Sequence, residues 1–162
     1  MPITPNSPAA ITRFYAVGVT DVLWCPSIAD TGAPTFAELD AGTDLGQELA
    51  DWSGWTVSTN MIDTPALKER FVGQLPGRIT AESSSITFYA DKLGADLRDL
   101  MPRDTLGYIV IADGGLASAV GDVFRVQVSA VAKVRSMDNA AQLRFDFAIL
   151  AQPAEDVTLP QS

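Results

Sequence analysis

Asp40, Asp44, Glu48 and Asp51 are the densest set of reactive side chains, four carboxylates within one short stretch. A pair of carboxylates can hydrolyse a glycoside without histidine, one acting as acid and the other as base or nucleophile, but only across a cleft at a set separation. In a Gly-containing stretch they read first as a solvated acidic surface. Asp40-Ala41-Gly42-Thr43-Asp44 opens like a calcium loop, yet the third position lacks an oxygen ligand and the sixth, Leu45, is not glycine. Ser83, Ser84 and Ser85 stand beside Glu82, but with no histidine in the chain no imidazole can activate them. Cys25 is the lone cysteine, which excludes an intrachain disulfide, a Cys/His zinc site and a Cys-His dyad. Trp24, Trp52 and Trp55 could stack on a sugar, though tryptophan on a strand more often serves a core or an interface. Phosphate-binding glycine loops, GxSxG and HExxH are all missing from the sequence. The expectation is therefore no enzyme, no cofactor and no metal.

Whatever positions these residues is globular: of 162 residues, 47% are hydrophobic and 19% charged. The net charge of −9 argues against attraction to nucleic acid or anionic membrane. It is also unevenly spread. Phe14 to Leu67 holds eight acidic residues and no lysine or arginine, whereas Lys68 to Leu150 balances ten of each sign. The first third thus builds an acidic surface suited to repelling polyanions or meeting a basic partner. No apolar run approaches a membrane span, and the proline-rich start is unlike a signal peptide. A single free thiol fits synthesis in the cytosol.

Strand signals dominate. Arg13–Val17 and Val22–Trp24 read as an early strand region, and Trp55, Val57, Thr59 and Met61 alternate with polar residues. Leu75-Pro76-Gly77-Arg78 reads as a type II turn. The apolar phase then switches from Ile79 and Ala81 to Ile86 and Phe88, so a bulge or a sheet crossover is expected at the three serines. Tyr108–Ala112 is a short apolar strand closed by Asp113-Gly114-Gly115. The strongest hairpin pairs Phe124, Val126, Val128, Ala130, Ala132 and Val134 with Leu143, Phe145, Phe147 and Ile149, turning at 136–139. One helix is expected from a cap at Asp91 through Leu93, Leu97, Leu100 and Met101 to the stop at Pro102. A weaker one opens at Thr35, with Glu38 at capping-box spacing. A single helical turn is expected at Thr64-Pro65. These elements predict a mainly β fold, an antiparallel sandwich or barrel of about six to eight strands with one flanking α-helix. Residues 13–151 form the domain, and 1–12 and 152–162 form proline-bearing arms outside its core.

An open antiparallel sheet has edges, and two arms plus a long loop from Met61 to Pro76 are large appendages for a monomer of this size. Such parts make sense if they reach copies of the same chain, since head-to-tail contacts that close give rings and stacked rings give tubes. At this point a set of motifs coincides. They are Ala33-Pro34-Thr35-Phe36-Ala37-Glu38-Leu39-Asp40-Ala41-Gly42-Thr43-Asp44-Leu45, then Ser53-Gly54-Trp55-Thr56-Val57 and Gln74-Leu75-Pro76-Gly77-Arg78. After these come Glu82 to Gly94, Asp113-Gly114-Gly115 and Phe145-Asp146-Phe147-Ala148-Ile149. In this order they resemble the major tail tube proteins of long-tailed bacteriophages, most of all those of actinobacterial phages.

The resemblance implies a structural virion protein, made in the bacterial cytoplasm, whose hexameric rings stack into a hollow tail tube. The tube would enclose a tape-measure protein, end at terminator and tip proteins, and pass DNA without binding it tightly. On this reading the candidate inter-subunit loop carries Asp63, Leu67, Lys68, Glu69, Arg70 and Phe71. Asp40, Asp44, Glu48 and Asp51 form an acidic surface facing the lumen or the neighbouring ring. Ile3, Ile11, Val157 and Leu159 anchor the arms between rings. The family has no catalytic residues. The alternatives are the inner tube of a contractile tail or injection system, a carbohydrate- or ligand-binding β-sandwich using the tryptophans, and a carboxylate hydrolase.

Overall fold

The computed structural model describes residues 13–93 and 97–161. Among these residues the regular structure is ten strands, one short α-helix and a 3-10 turn at Leu116–Ser118: β1 (Asp21–Cys25), α1 (Phe36–Asp40), β2 (Thr43–Asp44), β3 (Leu49–Ser53), β4 (Val57–Thr64), β5 (Gly73–Ala81), β6 (Ser84–Tyr89), β7 (Leu106–Ala112), β8 (Val120–Val134), β9 (Gln142–Ile149) and β10 (Ala154–Thr158). The main sheet runs β2-β1-β7-β8-β9-β6-β3, with β10 also paired to β8, and β4-β5 forms a separate two-stranded ribbon. All pairings are antiparallel.

The central strands are buried on both faces, which explains their continuous apolar runs. Val22, Trp24, Ile109, Ile111, Phe124, Val126 and Val128 join Ile86, Phe88, Phe145 and Phe147 in the larger core. The intervening Leu23, Cys25, Val110, Ala112 and Val123 face a second core, covered by Ile28, by Leu39 of α1 and by Leu159. Aromatic pairs knit the first: Phe88 and Phe145 meet edge-on at 5.4 Å, and Trp55 packs edge-on against Phe124 at 5.3 Å. Gly107 is required by this packing, because a Cβ there would lie 2.4 Å from the Trp24 ring.

α1 forms where the weaker signal stood. Thr35 Oγ1 accepts from the Glu38 N–H, and the Glu38 carboxylate accepts from the Thr35 N–H at 2.8 Å, a complete capping box. The helix expected from Asp91 does not form among its described residues, 91–93 and 97–101, which are turns. Leu93 is 90% exposed, whereas Leu97 and the fully buried Met101 pack on the larger core, so only the last turn of the segment is anchored, with the Met101 N–H donating to the Leu97 carbonyl.

Other expectations shift in register. The chain before β1 is a tight turn in which the Val19 and Thr20 N–H groups donate to the Ala16 carbonyl, not a strand from Arg13. Leu75-Pro76-Gly77-Arg78 is not a turn. It lies inside β5, with Pro76 opposite Met61, and the register breaks between Thr59 and Met61. Proline is tolerated there because β5 pairs on one side only, so no ladder hydrogen bond is lost to a second neighbour. The Thr64-Pro65 signal resolves as a reverse turn, with the Glu69 N–H donating to the Ala66 carbonyl. The serine run does mark a crossover: β5 ends in the ribbon and β6 begins in the main sheet.

The C-terminal hairpin forms as β8-β9, with one change. A bulge at Ser129 separates Val128↔Phe147 from Ala130↔Asp146, so Val131, not Ala130 or Ala132, packs on the core beyond it. The larger correction concerns residues 152–162. They do not stand outside the core, because β10 pairs with the start of β8 and both Val157 and Leu159 are buried. The Leu159 N–H closes the join by donating to the Ala119 carbonyl at 2.7 Å. Leu159 joins the second core, with Ala154 packed against it. Ile3 and Ile11 lie outside the described residues.

Candidate functional site

The ribbon β4-β5 faces residues 149–153 at its foot, where Val57, Ile79 and Ala81 line a shared pocket, and beyond that no described layer covers it. From Ser58 to Val72 every side chain is exposed, among them Met61, Ile62, Leu67 and Phe71, and Leu75 and Ile79 follow on β5. Leu67 is fully exposed and Phe71 is 81% exposed. The ribbon holds together through its ladder, through Thr64 Oγ1 donating to the Gly73 carbonyl at 2.9 Å, and through Gln74 Nε2 donating to Asp63 Oδ1 at 2.8 Å. A two-stranded hairpin is marginal alone in water, and an apolar patch this continuous marks an interaction surface. Asp63 therefore braces the stem, while Leu67, Lys68, Glu69, Arg70 and Phe71 occupy the tip.

The main sheet also ends in open strands. β3 pairs with β6 on one side only. Pairing of β7 with β8 stops at Gln127, so beyond the bulge β8 is laddered to β9 alone. Lys133 and Arg135 are exposed at the end of that open side, where charge discourages indiscriminate pairing.

Asp40, Asp44, Glu48 and Asp51 are all exposed, at the end of α1, in β2, before β3 and in β3. Asp44 Oδ1 accepts from the Gly46 N–H at 2.8 Å, a turn-forming bond. Among the described residues no three His, Cys, Asp or Glu side chains are grouped to hold a metal ion. The carboxyls with shifted acidity lie elsewhere. Glu38 is held below its ordinary value by hydrogen bonds from the Thr35 and Ala29 backbone and the Thr35 hydroxyl. Asp113 is raised by partial burial and by the charges of Asp122 and Asp156.

Of the nucleophile candidates, Ser84, Ser85 and Cys25 are engaged or buried, and Ser83 is exposed. Ser84 Oγ accepts from the Trp55 N–H and donates to the Glu82 carbonyl, and the Ser85 and Ser53 hydroxyls share a bond of 2.9 Å. Cys25 is fully buried, and desolvation lifts its thiol to about 11, which leaves it inert as a nucleophile near neutral pH. Trp24 and Trp55 are committed to the core. One feature escaped pattern reading: a groove between the turn at 16–20 and β3, lined by Val17, Val22, Leu49 and Trp52. Phe14, Tyr15 and Val17 are exposed apolar residues, and their spacing imitated a strand.

A family model described as phage tail tube protein matches residues 8–162. No curated protein sequence matches the chain. Among solved structures, the chain is similar to one from the tube-terminating cap of the anti-feeding prophage, with a TM-score of 0.57, 12% identity and all of both chains covered. It is also similar to a chain of the six-fold symmetrised baseplate of the anti-feeding prophage, with a TM-score of 0.50 and 11% identity over 93% of this chain and 98% of that one. At such identities the likeness is one of fold.

Proposed function

The chain belongs to the phage tail tube protein family, and on that premise we propose that it is a major tail tube subunit whose hexameric rings stack into a hollow conduit. The observation that carries this reading is the β4-β5 ribbon, an element with apolar side chains that its own domain leaves bare. Such a hairpin costs conformational entropy and gains little burial alone, so it is stabilised when a neighbouring copy covers it. The open sides of β3 and β8 offer backbone groups for lateral pairing.

In this proposal the tube belongs to the virion tail, of the kind found in actinobacterial phages, and is made in the host cytoplasm. It surrounds a tape-measure protein and is closed by terminator and tip proteins. The exposed carboxylates of the first third line the lumen or the space between rings, where negative charge repels phosphate and lets DNA slide. Purified protein imaged by negative-stain microscopy is expected to show rings or tubes with a wall one domain thick. A monomer that persists at high concentration, and stays so with tail-tip components added, overturns the reading.

A further inference from the structure

Resting on that reading, we propose that the hairpin tip of one copy seats in the groove beside β3 of the next, with Leu67 and Phe71 filling it and Lys68 and Arg70 meeting the carboxylates at its rim. The groove lies where the main sheet fails to close. One wall comes from the turn at 16–20 and Val22 of β1, the other from Gly46, Leu49 and Trp52. Its volume of about 160 Å³ is below the roughly 300–1,000 Å³ of sites built for small ligands. It is on the scale of one or two side chains.

Charge complementarity selects the occupant. Asp44, Glu48 and Asp51 are exposed and adjoin Gly46, Leu49 and Trp52 in the chain, within a stretch from Phe14 to Leu67 that holds no lysine or arginine. At the tip, Lys68 and Arg70 alternate with Glu69 between Leu67 and Phe71, an apolar pair flanking a net positive charge. Leu67 is fully exposed in its own copy, so the tip does not occupy its own groove. A knob and a hole on different surfaces, joined head to tail, make a heterologous contact that propagates from copy to copy and gives a ring where the rotation closes.

The test mixes two full-length variants, Phe71→Cys and Val17→Cys, under oxidising conditions. Buried Cys25 leaves the introduced thiols as the reactive ones. The expected result is a disulfide-linked species only when both variants are present. In parallel, Lys68→Glu with Arg70→Glu is expected to lower polymer yield at least tenfold, and adding Glu48→Lys and Asp51→Lys to the same chain is expected to restore it. Wild-type polymer without the mixed crosslink and without charge rescue overturns the docking while leaving the tube reading intact. A wild-type chain that never polymerises overturns both. A crosslink from Val17→Cys to Ile3→Cys within one chain assigns the groove to the chain's own first residues and also overturns the docking.

Discussion

The central strands of the main sheet are continuous apolar runs buried on both faces, whereas the β4-β5 ribbon mixes apolar and polar residues and is exposed on both. β7 reads Tyr108-Ile109-Val110-Ile111-Ala112 and is enclosed by two cores. β4 reads Val57-Ser58-Thr59-Asn60-Met61-Ile62 and touches neither. The lesson is that stability and assembly are carried by separate parts of one domain. The sheet folds the chain, and the ribbon is left free to find another copy.

This division can be broken by substitution, and the largest effect belongs in the sheet. Phe88→Ala leaves a cavity beside Phe145 in a fully buried site and is expected to cost about 3–5 kcal/mol, a large share of a typical domain's stability. Chemical denaturation would show it, and an unchanged midpoint would deny that this core is the stabilising one.

Next is Leu159→Ala, expected to cost about 2–4 kcal/mol because Leu159 caps the second core. A chain ending at Gln152 should melt at a markedly lower temperature. If it instead melts like the full chain, residues 152–162 behave as an arm after all.

A smaller effect comes from Thr35→Ala, which removes the capping hydroxyl of α1 at a cost of about 1 kcal/mol. It also tests a pH dependence. Glu38 has a lowered folded-state pKa, so its contribution is fully present above the ordinary carboxylate range and is lost as pH falls through that range and below it. The variant is expected to lose less stability than wild type between neutral and acid pH. Parallel acid titrations by circular dichroism would check this.

The smallest effect on folding, and the sharpest contrast, is Leu67→Ser with Phe71→Ser. Both side chains are exposed, so the monomer's stability is expected to move by no more than about 0.5 kcal/mol while polymer disappears from sedimentation profiles. Normal polymer from this double variant would mean that the ribbon is not the assembling part.

Much of the sheet was legible in the sequence, because a strand writes its burial into a two-residue period. The β8-β9 hairpin, the crossover at Ser83–Ser85 and the capping box at Thr35 were each readable from side-chain type and spacing. The reading failed where a local signal has two structural outcomes. Leu75-Pro76-Gly77-Arg78 serves a turn or a one-sided strand equally well, and the bulge at Ser129 leaves no mark in a run of small and β-branched residues. Of the candidate site, the tip residues from Leu67 to Phe71 stood out by charge and position. The groove between the turn at 16–20 and β3 did not, since its walls come from segments brought together only by the curling of the sheet.

Composition and order alone determined that this is a β-rich chain without histidine chemistry, acidic in its first third, and matching an ordered set of tail tube motifs. Only the tertiary structure decided that residues 154–159 close the second core, that the Asp91 segment is anchored at Leu97 and Met101 alone, and that the ribbon from Ser58 to Val72 lies exposed. The physical reason is that periodicity specifies which face of an element is apolar, whereas burial depends on what surface stands opposite that face. For β4-β5 from Ser58 to Val72 nothing among the described residues does.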